Sequence, residues 1–426
     1  MTPLRIAVAG LVALAVAMGI GRFAFTPILP MMLSDGVVDL RGASWLASAN
    51  YIGYLSGAAA LTLQPILWKR LGWRALDPPT LVRVGLVATG ALTLAMALPL
   101  DWTWATLRFA AGLASALVFV YSSGWCLARL ALMGEASLGG MMFAGPGAGI
   151  VVSGLLAHEM LELKRSAAEA WLVFGIAACV LTAFVWRTFR TSAGEGTTEP
   201  TPLPASPAAN TPATPAAQAS ASLAATPVEH GRVEVATLAF AYGISGFGYI
   251  VTATFLPVIA RAALPADSPW LDLFWPIFGV GVIVGALLAT RVRVSGDLRL
   301  ILAVAYVVQA IAIAIGVGLP TAAGFAIGSL LLGLPFTAIT YFALQEVRRL
   351  RPAHVAATTG LVTVMWSIGQ AAGPPMVAAL LRGAGDNAGV AFTRSLAIAA
   401  AALAFGAVIF LVASRVWPRQ RSVARP

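Results

Sequence analysis

Charge is what this sequence has least of. Asp, Glu, Lys and Arg make up 10% of its 426 residues, against roughly 25% in a soluble protein. A chain so poor in charge cannot cover a water-facing surface, which excludes an ordinary soluble globule. Acidic residues are the scarcer sign: 17 Asp and Glu face 27 Lys and Arg, for a net charge of +10, and no carboxylate falls in the middle of any long apolar run. The two cysteines, Cys126 and Cys179, exclude a disulfide framework and read as free core thiols. The three histidines, His158, His230 and His354, are scattered, and neither metal-ligand spacing nor a phosphate-binding glycine–lysine loop occurs. The expectation is therefore no metal, no cofactor, no enzymatic centre and no direct use of ATP.

What is present is apolar. Hydrophobic residues form 59% of the chain, and the 42 glycines raise that share to about 69%, well above the 45–50% of soluble domains. The apolar runs suit helices crossing a core of about 30 Å and lack the alternation of a barrel strand. They fall at 6–32, 45–67, 81–99, 103–127, 138–160 and 169–187, then at 235–260, 270–290, 299–318, 321–344, 355–381 and 391–414. The fold class expected is an all-α membrane protein of twelve transmembrane helices in two six-helix bundles, 1–190 and 232–426. Between them, 191–231 is rich in Ala, Pro, Thr and Ser and reads as a disordered linker. With the N-terminus placed in the cytoplasm, 19 Lys and Arg lie on the inner side and six on the outer. Basic residues thus orient both termini inward, in a bacterial inner membrane, and the positive charge is accounted for without nucleic acid.

A spaced pattern recurs in both halves. Gly19-x-Gly21 followed by Leu29-Pro30 reappears as Gly246-x-Gly248 followed by Leu256-Pro257. Gly53 and Gly57 correspond to Gly281 and Gly285, and Gly145-Pro146 corresponds to Gly373-Pro374. The offsets are all 227 or 228 residues. An even number of helices per copy makes the repeats parallel, related by an axis along the membrane normal. Gly21, Pro27, Pro30, Gly112, Gly145, Pro146, Gly246, Gly248, Pro257, Gly373 and Pro374 are candidates for close packing and bending.

At this point the chain resembles the major facilitator superfamily. The loop after the second segment keeps Leu67, Arg70, Gly72 and Arg74 of the superfamily's Gly-x-Leu-Ala-Asp-Arg-x-Gly-Arg-Arg pattern, with Lys69 at the aspartate position and Pro65 at the first glycine. Arg108-x-x-x-Gly112 is similar to the helix-4 motif, and Gly145-Pro146-x-x-Gly149 to that of helix 5. A nearer likeness is to a bacterial group labelled YbfB/YjiJ-like, carried by Gly21-Arg22-Phe23-Ala24-Phe25-Thr26-Pro27-Ile28-Leu29-Pro30 and Tyr242-Gly243-Ile244-Ser245-Gly246-Phe247-Gly248-Tyr249-Ile250. The resemblance implies alternating access by rocking of the two halves, with helices 1 and 4 lining a central cavity.

Two arginines sit inside apolar runs, Arg22 and Arg108. A cation there costs at least about 2.5–3.5 kcal/mol on insertion scales, so neither faces lipid. Either they bind an anionic solute through the planar guanidinium fork, or they tie helices to backbone carbonyls; the sequence leaves both open. Tyr249 is the repeat mate of Arg22, and the two are expected to face each other. Asn50, Tyr51, Tyr54, Tyr121, Trp366 and Gln370 are the other polar or aromatic candidates on cavity helices. Asp272 is the candidate for proton coupling. The expected function is a monomeric secondary transporter of a small organic anion. The alternatives are an exporter of neutral or amphipathic compounds by proton exchange and a non-transporting membrane sensor.

Overall fold

The computed structural model describes residues 1–72, 77–190, 231–292, 296–384 and 387–418. The segment expected to be a linker and Arg74 of the loop motif lie outside them, save Gly231 at the linker's end. The described residues are helical, without strands. Twelve helical spans follow one another: α1 (Pro3–Ser34), α2 (Leu40–Leu71), α3 (Pro78–Ala95), α4 (Asp101–Leu132), α5 (Ser137–Glu162), α6 (Ala167–Val185), α7 (Arg232–Ala263), α8 (Phe274–Arg291), α9 (Leu298–Gly318), α10 (Ala322–Leu350), α11 (Val355–Ala384) and α12 (Ala388–Val416). All but α2 are long and apolar enough to cross a bilayer by composition alone. The exception carries Ser44, Ser48, Asn50, Tyr51 and Tyr54, all buried; its polar side chains are turned into the protein.

The duplication is visible in which helices touch. A Cβ at Gly53 of α2 would lie 1.9 Å from the Phe109 carbonyl oxygen of α4; at Gly281 of α8, its repeat mate, 2.4 Å from the Leu330 oxygen of α10. At Gly19 of α1 it would lie 2.4 Å from Gly149 of α5; at Gly246 of α7, 2.1 Å from the Trp366 oxygen of α11. These glycines bring backbones to a distance that no side chain permits. Spans α3, α6, α9 and α12 form the periphery, each with 39% of its apolar 18-residue stretch buried, against 72% for α1 and 78% for α7. Their apolar faces are left for lipid. Cys179, expected in the core, is exposed on one of these peripheral helices, whereas Cys126 is buried on α4; both are free.

Three spans depart from plain helices. In α1 the helix widens to π geometry over Ala15–Ile20 and opens into turns at 21–24 before resuming at Phe25–Ser34. Gly21 N–H reaches Val16 O and Phe23 N–H reaches Met18 O, five residues back. Arg22, expected within a helix, therefore sits in a break. Opening a helix frees carbonyls, and Arg108 meets them: its Nη1 donates to Gly21 O at 3.3 Å and its Nη2 to Arg22 O at 3.1 Å. The chain enters α5 through a 3-10 helix, Ala136–Ala144, that runs as far as Gly145-Pro146. The last, α10, breaks between Gly333 and Phe336. Pro30, Pro257 and Pro374 are carried inside continuous helix. Gly72, at φ 65°, ends α2 in the left-handed conformation glycine tolerates best; Arg70 before it is exposed.

The halves meet along α2–α11, α5–α8 and the far part of α1 against α7. On the side where the chain begins and ends, a Cβ at Gly360 of α11 would lie 2.1 Å from Thr62 of α2, and one at Gly140 of α5 would lie 2.1 Å from Thr290 of α8. On the far side, Thr26 Oγ1 donates to Ala253 O at 2.8 Å and Tyr51 Oη shares a 2.8 Å hydrogen bond with Thr254 Oγ1. The centre is closed from both directions.

Two variants on α4 separate packing from composition. Gly112→Ala places a methyl 2.0 Å from Asn50 O, whereas at Gly124 nothing lies within 4 Å. Overpacking costs about 1–3 kcal/mol, so Gly112→Ala is expected to lower the thermal midpoint of the purified protein. Gly124→Ala is expected to hold or raise it, by up to about 1 kcal/mol of helix stability. Arg108→Met leaves two buried carbonyls without donors, at about 1–3 kcal/mol each, and is expected to lower the midpoint as well. An unchanged midpoint would separate Arg108 from the break in α1.

Candidate solute-binding site

The break in α1 aims Arg22 at the middle of the interface between the halves. Its side chain is 1% exposed. Aromatic faces surround the guanidinium: Cζ lies 4.1 Å from the ring centre of Tyr54, 5.1 Å from Tyr51, 5.4 Å from Phe23 and 5.7 Å from Trp366. Such a cation–ring contact is worth about 0.5–1 kcal/mol when exposed and about 2 kcal/mol or more when desolvated. Nη2 donates to Gln370 Oε1, and Gln370 Nε2 donates to Tyr249 Oη. The chain Arg22–Gln370–Tyr249 thus links one half to the other. The remaining nitrogens of Arg22, Nε and Nη1, are buried without an acceptor. No carboxylate pairs with Arg22 or Arg108 among the described residues.

Trp366 is the flat wall of the site. Tyr249 stacks on it at 5.8 Å and 15°, and Tyr242 at 6.1 Å and 20°. Phe336, just after the break in α10, makes an edge-to-face contact with Tyr249, ring centres 4.8 Å apart. Of the residues named from the sequence, Arg22, Tyr51, Tyr54, Tyr249, Trp366 and Gln370 converge here. Asn50 lies one layer back, its Nδ2 donating to Arg108 O at 2.9 Å. Arg108 itself faces the backbone of α1 and the ring of Phe25, 4.9 Å away. Tyr121 is apart from the group and donates to Gln64 Oε1. Sequence reasoning missed Tyr242, Phe23, Phe336 and Thr254. Tyr242 had a signal: it precedes Tyr249 by two helical turns on one face. Phe336 had none, because its position follows from a helix break that apolar periodicity does not mark.

Two other charged groups are internally neutralised. At the side of the termini, Arg299 is 3% exposed and contacts Glu234 at 3.1 Å, Asp297 at 2.7 Å and Glu346 at 3.8 Å. Its Nη1 and Nη2 also donate to Ala413 O at 3.0 Å and Trp417 O at 2.7 Å. Arg349 adds contacts to Glu234 at 3.1 Å and Glu346 at 2.6 Å. This knot joins the ends of α7, α9, α10 and α12. Burial alone would push the Asp297 carboxyl up, but hydrogen bonds from Arg299 outweigh it and hold it below the ordinary carboxylate range. At the far side, Asp272, in the turn before α8, pairs with Arg261 of α7 and lies 3.7 Å from His158 Nδ1 of α5. It bridges the halves at their rim, away from Arg22. Among the described residues no cluster suits a metal ion.

Comparison with known proteins agrees with this architecture. No curated protein matches the sequence. A solved nucleoside transporter, NupG, has the same fold: its D323A mutant superposes with a TM-score of 0.68 at 15% identity, over 96% of this chain and 99% of that one. A second NupG structure gives 0.65 at 14% identity, over 97% and 99%. The family described as uncharacterised MFS-type transporter YbfB matches residues 14–214 and 206–411. With two matches that together span both six-helix halves, the chain belongs to that family of major facilitator transporters.

Proposed function

We propose that the protein carries a small organic anion, a carboxylate, across the membrane by alternating access. One observation carries the reading: Arg22 is buried among rings and backbone, and among the described residues no carboxylate neutralises it. Taking an ion out of water carries a penalty of several kcal/mol unless a counter-charge and hydrogen bonds replace the water. The Arg299 cluster has such counter-charges; Arg22 lacks them. An arriving carboxylate supplies both, because Nε and Nη1 still have N–H groups to donate.

Binding and movement share the same atoms. Gln370 on α11 occupies Nη2 of Arg22 on α1, so a solute that takes over Nη2 dissolves a bond between the halves. Parallel repeats that rock about a central site then turn this release into alternating access. Asp272 is the candidate for proton coupling: it pairs with Arg261 and lies 3.7 Å from His158 Nδ1 across the far rim. The excess of basic residues on the side of the termini supports a cytoplasmic placement of both ends in a bacterial inner membrane, with the monomer as the working unit. A neutral nucleoside is the second reading, favoured by the stacked rings on Trp366 and opposed by the unneutralised Arg22.

Arg22→Gln keeps hydrogen-bonding groups and removes the charge. Lactate and benzoate are expected to stabilise the purified wild-type protein in a thermal-shift assay and to enter proteoliposomes. In the variant both effects are expected to fall by about 10- to 100-fold, the worth of hydrogen bonds to a charged group. The variant's own midpoint is expected to hold or rise, since an unpaired buried charge has been removed. A fall in midpoint with binding intact would make Arg22 structural. Stabilisation by uridine alone would select the nucleoside reading.

A further inference from the structure

We propose that the Arg22 site selects a flat monocarboxylate, an aromatic or conjugated acid, over a puckered or doubly charged one. This rests on the anion reading above and names the class of anion. The first observation concerns the group already in place. The Gln370 amide has the shape of a carboxyl group, with its oxygen on Arg22 and its nitrogen on Tyr249. A carboxylate in that seat accepts from Arg22 through one oxygen and from the Tyr249 hydroxyl through the other.

The second observation is the supply of positive charge. Of the two guanidiniums at the centre, those of Arg22 and Arg108, one is open to a ligand. Both Nη atoms of Arg108 are taken by Gly21 O and Arg22 O, its plane lies against Phe25, and only Nε lacks a partner. A second carboxylate on the solute would meet rings and backbone rather than a cation, and burying it unpaired is unfavourable. The seat therefore takes one negative charge.

The third observation is the shape of the walls. Beyond the carboxylate seat the site is bounded by the rings of Tyr54, Trp366 and Tyr249: Tyr249 stacks on the indole within 15° in the same half, and Tyr54 meets it edge to face at 68°. The indole of Trp366 and the Tyr54 ring belong to opposite halves, with centres 6.4 Å apart. Rings present broad, rigid surfaces and prefer offset stacks or edge-on contacts with other rings. A planar acid that enters as the halves part can stack on the indole and set its edge against the Tyr54 ring, the two geometries that the rings here already use; a saturated ring makes neither aromatic contact.

The test compares benzoate, cyclohexanecarboxylate and benzamide on the full-length protein by isothermal titration calorimetry. These probes share size while differing in flatness or in charge. Benzoate is expected to bind at least about tenfold more tightly than cyclohexanecarboxylate, the combined worth of two aromatic contacts. Benzamide is expected to bind at least tenfold more weakly than benzoate. In Trp366→Leu the preference for benzoate over cyclohexanecarboxylate is expected to shrink to less than about threefold. Equal affinities for the two acids would overturn the flat-ligand inference while leaving the anion reading standing. Binding of benzamide as tight as that of benzoate, or of neither acid, would overturn the anion reading itself. Should Trp366→Leu fail to fold, the wild-type comparison decides alone.

Discussion

An unneutralised guanidinium in the middle of a membrane-spanning protein is the constraint around which the rest of the structure is arranged. Arg22 cannot face lipid, and among the described residues no carboxylate meets it. Its neighbours stabilise it only in part. Ring faces offer quadrupoles, Gln370 offers one neutral acceptor, and Arg108 takes up the carbonyls that the break in α1 sets free. None of these cancels the charge. The Arg299 knot shows the contrast within the same molecule: there two arginines are surrounded by three carboxylates and two main-chain carbonyls, and the result is a fixed joint between helix ends. A charge left open at the centre and charges closed off at the rim suit different tasks.

The scaffold is symmetric and the site is not. Glycines at matching positions let α1 press on α5 and α7 on α11, α2 on α4 and α8 on α10. At the same register the two copies then diverge. One has Arg22 in an opened turn; the other has Tyr249 in continuous helix. Gln370 lies between them and bonds to both. Duplication thus supplies two halves that can rock, and divergence at one matched pair gives the interface a cation on one side and a phenol on the other.

Much of this was legible in the sequence, and for physical reasons. Long apolar runs have few alternatives to spanning helices. The Gly and Pro spacing exposed the repeat because close backbone approach admits no other residue. Arg22 announced itself as a charge in a place where charge is unfavourable. Six of the nine side chains named as binding candidates do converge. The other three lie outside that group, for physical reasons. Arg108 and Asn50 satisfy backbone groups whose exposure depends on the α1 break, and Tyr121 pairs with Gln64, a contact set by helix rotation rather than by composition. The breaks themselves were hidden, since π geometry at Ala15–Ile20 and the turn at 21–24 leave the apolar pattern of α1 intact. Cys179 was misjudged because a peripheral helix and a core helix look alike when every face is apolar.

The most direct measurement is a density map of the full-length protein at saturating benzoate, at a resolution that shows side-chain amides. A central cation in need of a counter-charge requires carboxylate density against the guanidinium of Arg22, in the seat that the Gln370 amide gives up at Nη2. Benzoate density elsewhere, with Arg22 still closed on Gln370, would contradict the claim that this arginine is the anion's seat.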